Sequence, residues 1–314
     1  MKLIAASVIV FLIIAAYPSF QYQRMLVGAP ALETRVSGAQ VANGETLLLE
    51  IIQADTVALG HIAVGIGDTT ALRLYPHPAE EDDALFAMLG IDYYARPYED
   101  TLRVMWTEDD IFYERAIPFA VVSGTYPSTR ITGVPQSRVT PSAADYRRIA
   151  RERRQIGAAY ISVRDSLLMD GPFRMPTEKV TITGEYGSRR VFNGQLRSVH
   201  SGLDMRAYAG TPLYAAQSGR VKLAKNLFYS GNHVLIEHGM GIYSSYSHMS
   251  KLEVKTGEWV EEGQLMGLSG ATGRVTAAHL HWTVNVNGVR VSPLQFYDVL
   301  ATLYRTEDSS QHFE

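Results

Sequence analysis

The chain has 314 residues and a formal net charge of −3, from 29 Lys and Arg against 32 Asp and Glu, with nine histidines and no cysteine. Without a thiol there are no disulfide staples, thiolate-bound zinc, iron–sulfur clusters or cysteine nucleophile, so any metal site must use nitrogen and oxygen. The slightly negative total argues against nucleic acid as a partner, 46% hydrophobic residues argue against disorder, and the length suits about two domains.

In chain order, Met1 to Ala16 holds one lysine and then fourteen uninterrupted small or apolar residues before Tyr17-Pro18. As a helix this run would cover about 21 Å, short of the ~30 Å hydrocarbon core. It predicts a signal peptide or N-terminal anchor over residues 1–20, and hence export to the periplasm or cell envelope. No cysteine follows it, which excludes a lipoprotein.

Over residues 38–125, Thr46–Ile52, Val57–Ile66, Ala71–Tyr75, Leu85–Tyr94, Leu102–Trp106 and Ile111–Val122 are β-type runs separated by turn or acidic clusters. They predict a small β-sandwich-like domain. The acidic stretches Glu80–Asp83 and Glu108–Asp110 read as solvated loops, and His61 and His77 as ordinary core or surface histidines.

Residues 140–170 predict a connecting helix. Ser142 and Asp145 form a start signal, and Tyr146, Ile149, Ile156, Tyr160, Val163 and Leu167 recur at helical spacing. Arg147, Arg148, Arg151, Arg153 and Arg154 make a basic face, read as solvated.

Residues 180–303 change character again. Fifteen of the 26 glycines fall between Gly184 and Gly288, among Val, Tyr and Thr runs without helical period, which predicts a tightly turning all-β domain. Residues 180–304 carry 11 basic against 8 acidic residues, an excess opposite in sign to the rest of the chain. Residues 304–314 read as a polar tail.

Six of the nine histidines lie between His200 and His281. In a strand, His279 and His281 would project to one face while Leu280 and Trp282 pack on the other. His200 and Asp204, four residues apart around Gly202, can also reach a common cation. With one histidine of the pair they make an N/N/O set suited to zinc with a fourth position open.

Tyr186-Gly-Ser-Arg189, His200-Ser-Gly-Leu-Asp204, Gly210-Thr-Pro212, Tyr246-Ser-His248, Gly263-Gln-Leu-Met-Gly267 and Thr272-Gly-Arg-Val-Thr-Ala-Ala-His279-Leu-His281 together resemble a lysostaphin/LytM-type zinc metallopeptidase over residues 184–295. The resemblance implies a mainly β fold with a glycine-rich antiparallel catalytic domain, and one zinc ion per chain on His200, Asp204 and His281. It implies His248 and His279 as the other catalytic histidines. Ala278 and Tyr186 depart from the family's usual proline and phenylalanine. Arg189 is a candidate for binding a substrate carboxylate, with a salt bridge as the competing reading. His238 is expected to pack or to support the site; His233 and His312 read as incidental.

The implied function is a zinc endopeptidase cutting the peptide cross-links of bacterial peptidoglycan with a zinc-activated water. The rival is a non-catalytic LytM-type regulator that activates another wall hydrolase, a class in which the ligands are typically lost. Peptidoglycan peptide stems are the expected partner, with an envelope regulator as a further one. The N-terminal domain is expected to gate the site, so a chain beginning near Lys179 should be more active.

Overall fold

The structure, a computed structural model, describes residues 32–53, 62–67, 70–79, 84–108, 111–132, 140–160, 164, 166–192 and 196–305. The apolar N-terminal segment, His61, Glu80–Asp83, Asp109 and Asp110, Val163 and the tail with His312 lie outside these residues.

The first half comprises β1 (Leu32–Val36), β2 (Gln40–Ala42), β3 (Thr46–Gln53), β4 (Ala63–Ile66), β5 (Thr70–Leu72), β6 (Tyr75–Pro76), β7 (Ala84–Gly90), β8 (Tyr98–Glu108), β9 (Ile111–Val122) and β10 (Ser128–Ile131). Two sheets result, in the orders β1-β3-β7-β6 and β2-β9-β8-β4-β5. Between them lie Leu47, Leu49, Ile51, Leu85, Leu102, Val104, Trp106 and Phe119, a sandwich core fed by both sheets. The run expected as Ala71–Tyr75 is two strands. β5 belongs to one sheet and β6 to the other, so the chain crosses the sandwich at Arg73 and Leu74. The run expected to reach Tyr94 stops at Gly90, where the Tyr94 N–H donates to Asp92 Oδ1 at 2.7 Å and closes a turn.

Helix α1 (Ala143–Ala159) starts at Ser142, whose hydroxyl accepts from the Asp145 N–H while the Asp145 carboxylate accepts from the Ser142 N–H. It ends eleven residues before the expected limit at 170, and its buried side is only in part the expected apolar stripe, keeping Ile149. Tyr146 is 56% exposed, whereas Glu152 is buried beside Ile149. That carboxylate is satisfied by the Arg148 guanidinium at 2.6 Å and the Phe228 N–H at 2.8 Å, which is why a charged residue can hold the helix to the next domain.

The second half comprises β11 (Ile182–Gly184), β12 (Arg189–Phe192), β13 (Leu196–Val199), β14 (Leu203–Met205), β15 (Pro212–Tyr214), β16 (Gly219–Leu227), β17 (Gly231–Gly239), β18 (Ile242–Met249), β19 (Lys251–Leu252), β20 (Trp259–Val260), β21 (Leu265–Leu268), β22 (Leu280–Val286), β23 (Val289–Val291) and helix α2 (Pro293–Leu303). The main sheet runs β11-β14-β22-β18-β17-β16-β20, with β23 on β22, and a small sheet β15-β21-β19 stands apart. The all-β expectation holds, with α2 added at the end. Val221, Val234, Ile236, Tyr246, Leu280, Trp282 and Val284 face one core together with Leu213, Met266 and Phe296.

That core does not end at the domain boundary. β3 and β7 turn Leu47, Leu49, Ile51 and Leu85 into the sandwich, but Leu48, Phe86 and Met88 into the second core beside Val286, Val291 and Phe296. Strand alternation sends neighbours to opposite faces, so this sheet is buried on both. Polar bonds line the same seam. Thr46 N–H donates to Gln295 Oε1 (2.9 Å), Gln295 Nε2 to Thr46 O (2.8 Å) and Asn287 Nδ2 to Met88 O (3.1 Å). β10 adds to the second half directly, pairing in parallel with β12.

Candidate metal centre and cleft

Antiparallel pairing of β14 with β22 sets Asp204 opposite His281, and β18 sets Ser247 opposite His281 on the other side. Leu280 and Trp282 point into the core, as alternation requires, which leaves His281 on the opposite face. His200 enters from the turn between β13 and β14. A Cβ at Gly202 would sit 2.5 Å from Trp282 O and 2.8 Å from His281 Cε1, so only glycine lets this turn close over β22.

Three donor atoms converge. His200 Nε2 lies 2.9 Å from both Asp204 Oδ1 and His281 Nδ1, and His281 Nδ1 lies 2.8 Å from Asp204 Oδ1. His200 Nδ1 bonds the Glu185 carbonyl at 2.7 Å, which puts its proton there and turns the Nε2 lone pair inward. Arg190 donates to Asp204 Oδ2 at 2.5 Å and leaves Oδ1 for the cluster. That approach needs Gly184, where a Cβ would lie 2.7 Å from Arg190 Nη2. Burial alone would raise the Asp204 pKa, but its contacts with the His200, His279 and His281 rings outweigh it and hold the carboxyl well below its usual range. Burial pushes His281 down to about 4 despite the Asp204 contact, so its imidazole is neutral at pH 7. Two imidazoles and one carboxylate, their ligand atoms within 4.8 Å of one another, fit zinc and exclude no fourth ligand.

Two more histidines face the cluster. His248 has φ of 67°, a left-handed conformation uncommon outside glycine, at the irregular end of β18. Its N–H donates to Ser230 O and its Nδ1 bonds Thr272 O, both at 2.8 Å, which aims the ring inward, 4.9 Å from the His279 ring and 5.9 Å from that of His281. Burial first, then the neighbouring His281 and His279, lower the His248 pKa well below the usual value. His279 just precedes β22, its Nδ1 2.9 Å from Ala277 O and its Nε2 3.5 Å from Asp204 Oδ1. Burial pulls its pKa down, but the Asp204 carboxylate more than compensates and the net shift is upward.

Two clefts open on this cluster, of about 420 and about 130 Å³, and Arg190, His248 and Arg274 line both. Arg189 lines neither. It is exposed on β12, its N–H bonded to Pro127 O at 2.8 Å, and the adjacent Arg190 faces the site instead. Arg190 and Arg274 are the residues that sequence reading missed. The Arg-Arg pair at 189–190 was visible, but only the pairing of β12 with β13 decides which member turns inward. Among the described residues, those lining either cleft begin at Thr183, and the first half reaches the site's edge through β10, whose Thr129 pairs with Arg190.

The departures at 186 and 278 have separate outcomes. Tyr186 spends its hydroxyl on Arg290 O at 2.8 Å and packs near Tyr93 and Tyr126, so it seals the seam with the first half. Ala278 lines the larger cleft. His233 is not incidental. It is buried in the polar layer next to the site, Nδ1 3.0 Å from Ser247 Oγ. His238 packs against Phe173 and bonds Ser218 O and Ser244 Oγ at 2.8 and 2.7 Å, the supporting role expected of it.

Comparison with known proteins agrees with this geometry. Residues 198–293 match the profile described as Peptidase family M23, so the chain carries a domain of that family. Over 124 residues it is 40% identical to the peptidoglycan DD-endopeptidase ShyA of Vibrio cholerae, a match covering 39% of this chain and 29% of that protein. An uncharacterised metalloprotease of Haemophilus influenzae is 30% identical over 58% of this chain and 39% of its own length. The chain thus spans well under half of these curated relatives. A crystal structure of a candidate M23 peptidase from Pseudomonas aeruginosa superposes with a TM-score of 0.56 at 27% identity, covering 83% of this chain and 95% of that one. Coverage that wide extends beyond residues 198–293.

Proposed function

We propose that the protein is a zinc endopeptidase that hydrolyses the peptide cross-links of bacterial peptidoglycan, holding one zinc ion on His200, Asp204 and His281. The observation that carries this reading is the convergence of those three donors beside two further histidines in an open cleft. Zinc in such a set supplies Lewis-acid polarisation of a carbonyl and lowers the pKa of a bound water toward 7.

The chain's own residues do the rest. The Glu185 carbonyl fixes the His200 tautomer, and Arg190 orients the Asp204 carboxylate. His248 and His279 each engage a backbone carbonyl through Nδ1, which presents Nε2 to the cleft. At that atom a proton can be taken from the attacking water and returned to the leaving amine, or a hydrogen bond given to the developing oxyanion. The regulator reading finds no favouring observation, since all five groups are present and oriented.

Export to the periplasm or cell envelope, through the apolar segment at the N-terminus, belongs to the same proposal and agrees with a wall substrate. The test is mass spectrometry of cross-linked muropeptides incubated with zinc-loaded protein. Dimers should fall to monomers and survive when a chelator is present. Intact dimers across pH 6 to 9, together with stimulation of a separate amidase, would establish the regulator instead.

A further inference from the structure

Both clefts carry an excess of cationic charge that the proposed chemistry does not require. The larger is lined by Arg190, Arg206 and Arg274 against the single acid Asp204, and the smaller by Arg190 and Arg274 with no acid. Asp204 is already committed, Oδ2 to Arg190 and Oδ1 to the histidines. Cationic charge therefore exceeds what the metal ligands use.

Arg274 is placed with care. Its backbone N–H donates to Tyr229 O at 2.8 Å, and its guanidinium lies over the Tyr229 ring, 4.5 Å from the centroid. It sits two residues after Thr272, whose carbonyl aims His248. The side chain is thus braced on the Tyr229 ring and lines the same two clefts as His248. Burial and the charge of Arg190 both push its pKa down, a sign that the fold has brought two cations together at some cost. A bound anion would relieve that repulsion, and a guanidinium meets a carboxylate through two parallel hydrogen bonds.

We propose that Arg274, with Arg190 beside it, forms a subsite for a free carboxylate on the substrate residue that donates the scissile amide nitrogen. The inference rests on the endopeptidase reading and narrows its substrate. A D-alanyl–diaminopimelyl cross-link carries such a carboxylate on the carbon next to the amide nitrogen, and an internal bond of a glycine bridge has none. The subsite would hold the leaving side of the bond in register with His248 and His279. It therefore acts mainly through substrate binding.

The experiment compares two cross-linked muropeptide dimers, one with that carboxylate free and one with it amidated, using zinc-loaded wild type, Arg274→Gln and Arg274→Lys. Zinc content and thermal unfolding confirm that each variant is folded. Wild type should prefer the free carboxylate by about tenfold or more in kcat/KM, most of it in KM, the range expected for a hydrogen bond between charged groups. Arg274→Gln should lose about tenfold more on the free dimer than on the amidated one, and Arg274→Lys should fall between. Equal cleavage of both dimers by wild type, or an equal loss on both in Arg274→Gln, overturns the subsite. Cleavage of neither dimer by wild type overturns the peptidase reading and the subsite with it.

Discussion

Two sheets in this molecule bury both faces, and they use that burial differently. The sheet β1-β3-β7-β6 is apolar on each side, with Leu47, Leu49 and Ile51 in one core and Leu48, Phe86 and Met88 in the other. The main sheet of the second half is apolar on one side only. Its other face carries Asp204, Ser245, Ser247, His281, Thr283 and Asn285, all buried or nearly so. The first sheet joins two halves through contacts that need no orientation. The second holds a layer of directional groups, where each polar atom must find a partner, and such a layer can position a metal and its helpers to within a few tenths of an ångström.

Substitutions should separate the two kinds of burial. The largest effect is expected for His281→Ala, which should lose bound zinc, measured by atomic absorption, and reduce muropeptide cleavage to background, while the fold survives. His279→Ala should keep its zinc and lose about 10²- to 10⁴-fold in turnover, the usual worth of a proton-transfer group. Loss of zinc there would mean that the ligand assignment within the pair is reversed. On the apolar sheet, Phe86→Ala should lower the unfolding free energy by about 3–5 kcal/mol in urea titration with zinc affinity unchanged.

His238 tests the polar rule away from the metal. Burial holds its folded pKa at about 4, with the Ser218 bond partly opposing, against about 6.5 when unfolded. A depressed histidine stabilises the fold fully above pH 6.5, and that contribution is lost as pH falls through 4. The shift corresponds to about 3 kcal/mol, so wild type should lose that much more stability than His238→Gln between pH 7 and pH 4. The smallest effect expected is for Thr283→Val, which strips Ser245 of its 2.6 Å partner and should cost about 1–3 kcal/mol.

The same comparison explains what could be read from the residues. Alternation around Ala278–Trp282 and the spacing of His200 and Asp204 are local, so a set of His200, Asp204 and one histidine of the pair was legible before any fold was known, and the choice of His281 came from the family resemblance. The six β-type runs likewise foretold a sandwich. The uninterrupted apolar stretches Leu47–Leu49 and Ala84–Leu89 signal burial on two faces, but not against which partner, and the shared core depends on that partner. Arg190 and Arg274 were hidden for a related reason. Their direction follows from strand register and from a turn anchored on Tyr229, both of which are tertiary. Glu152 misled the helix reading because a buried carboxylate is foreseeable only when the Phe228 N–H that meets it is known.

The backbone of His248 bears on how this protein can be improved. A left-handed φ at a non-glycine residue costs on the order of 1 kcal/mol, and glycine or asparagine would accept it more readily. Selection for thermal robustness alone would therefore favour replacing one of the two histidines that face the metal site. On the proposed mechanism a more heat-resistant form obtained that way would be an inactive one, so any screen for stability in this fold must carry an activity filter at position 248.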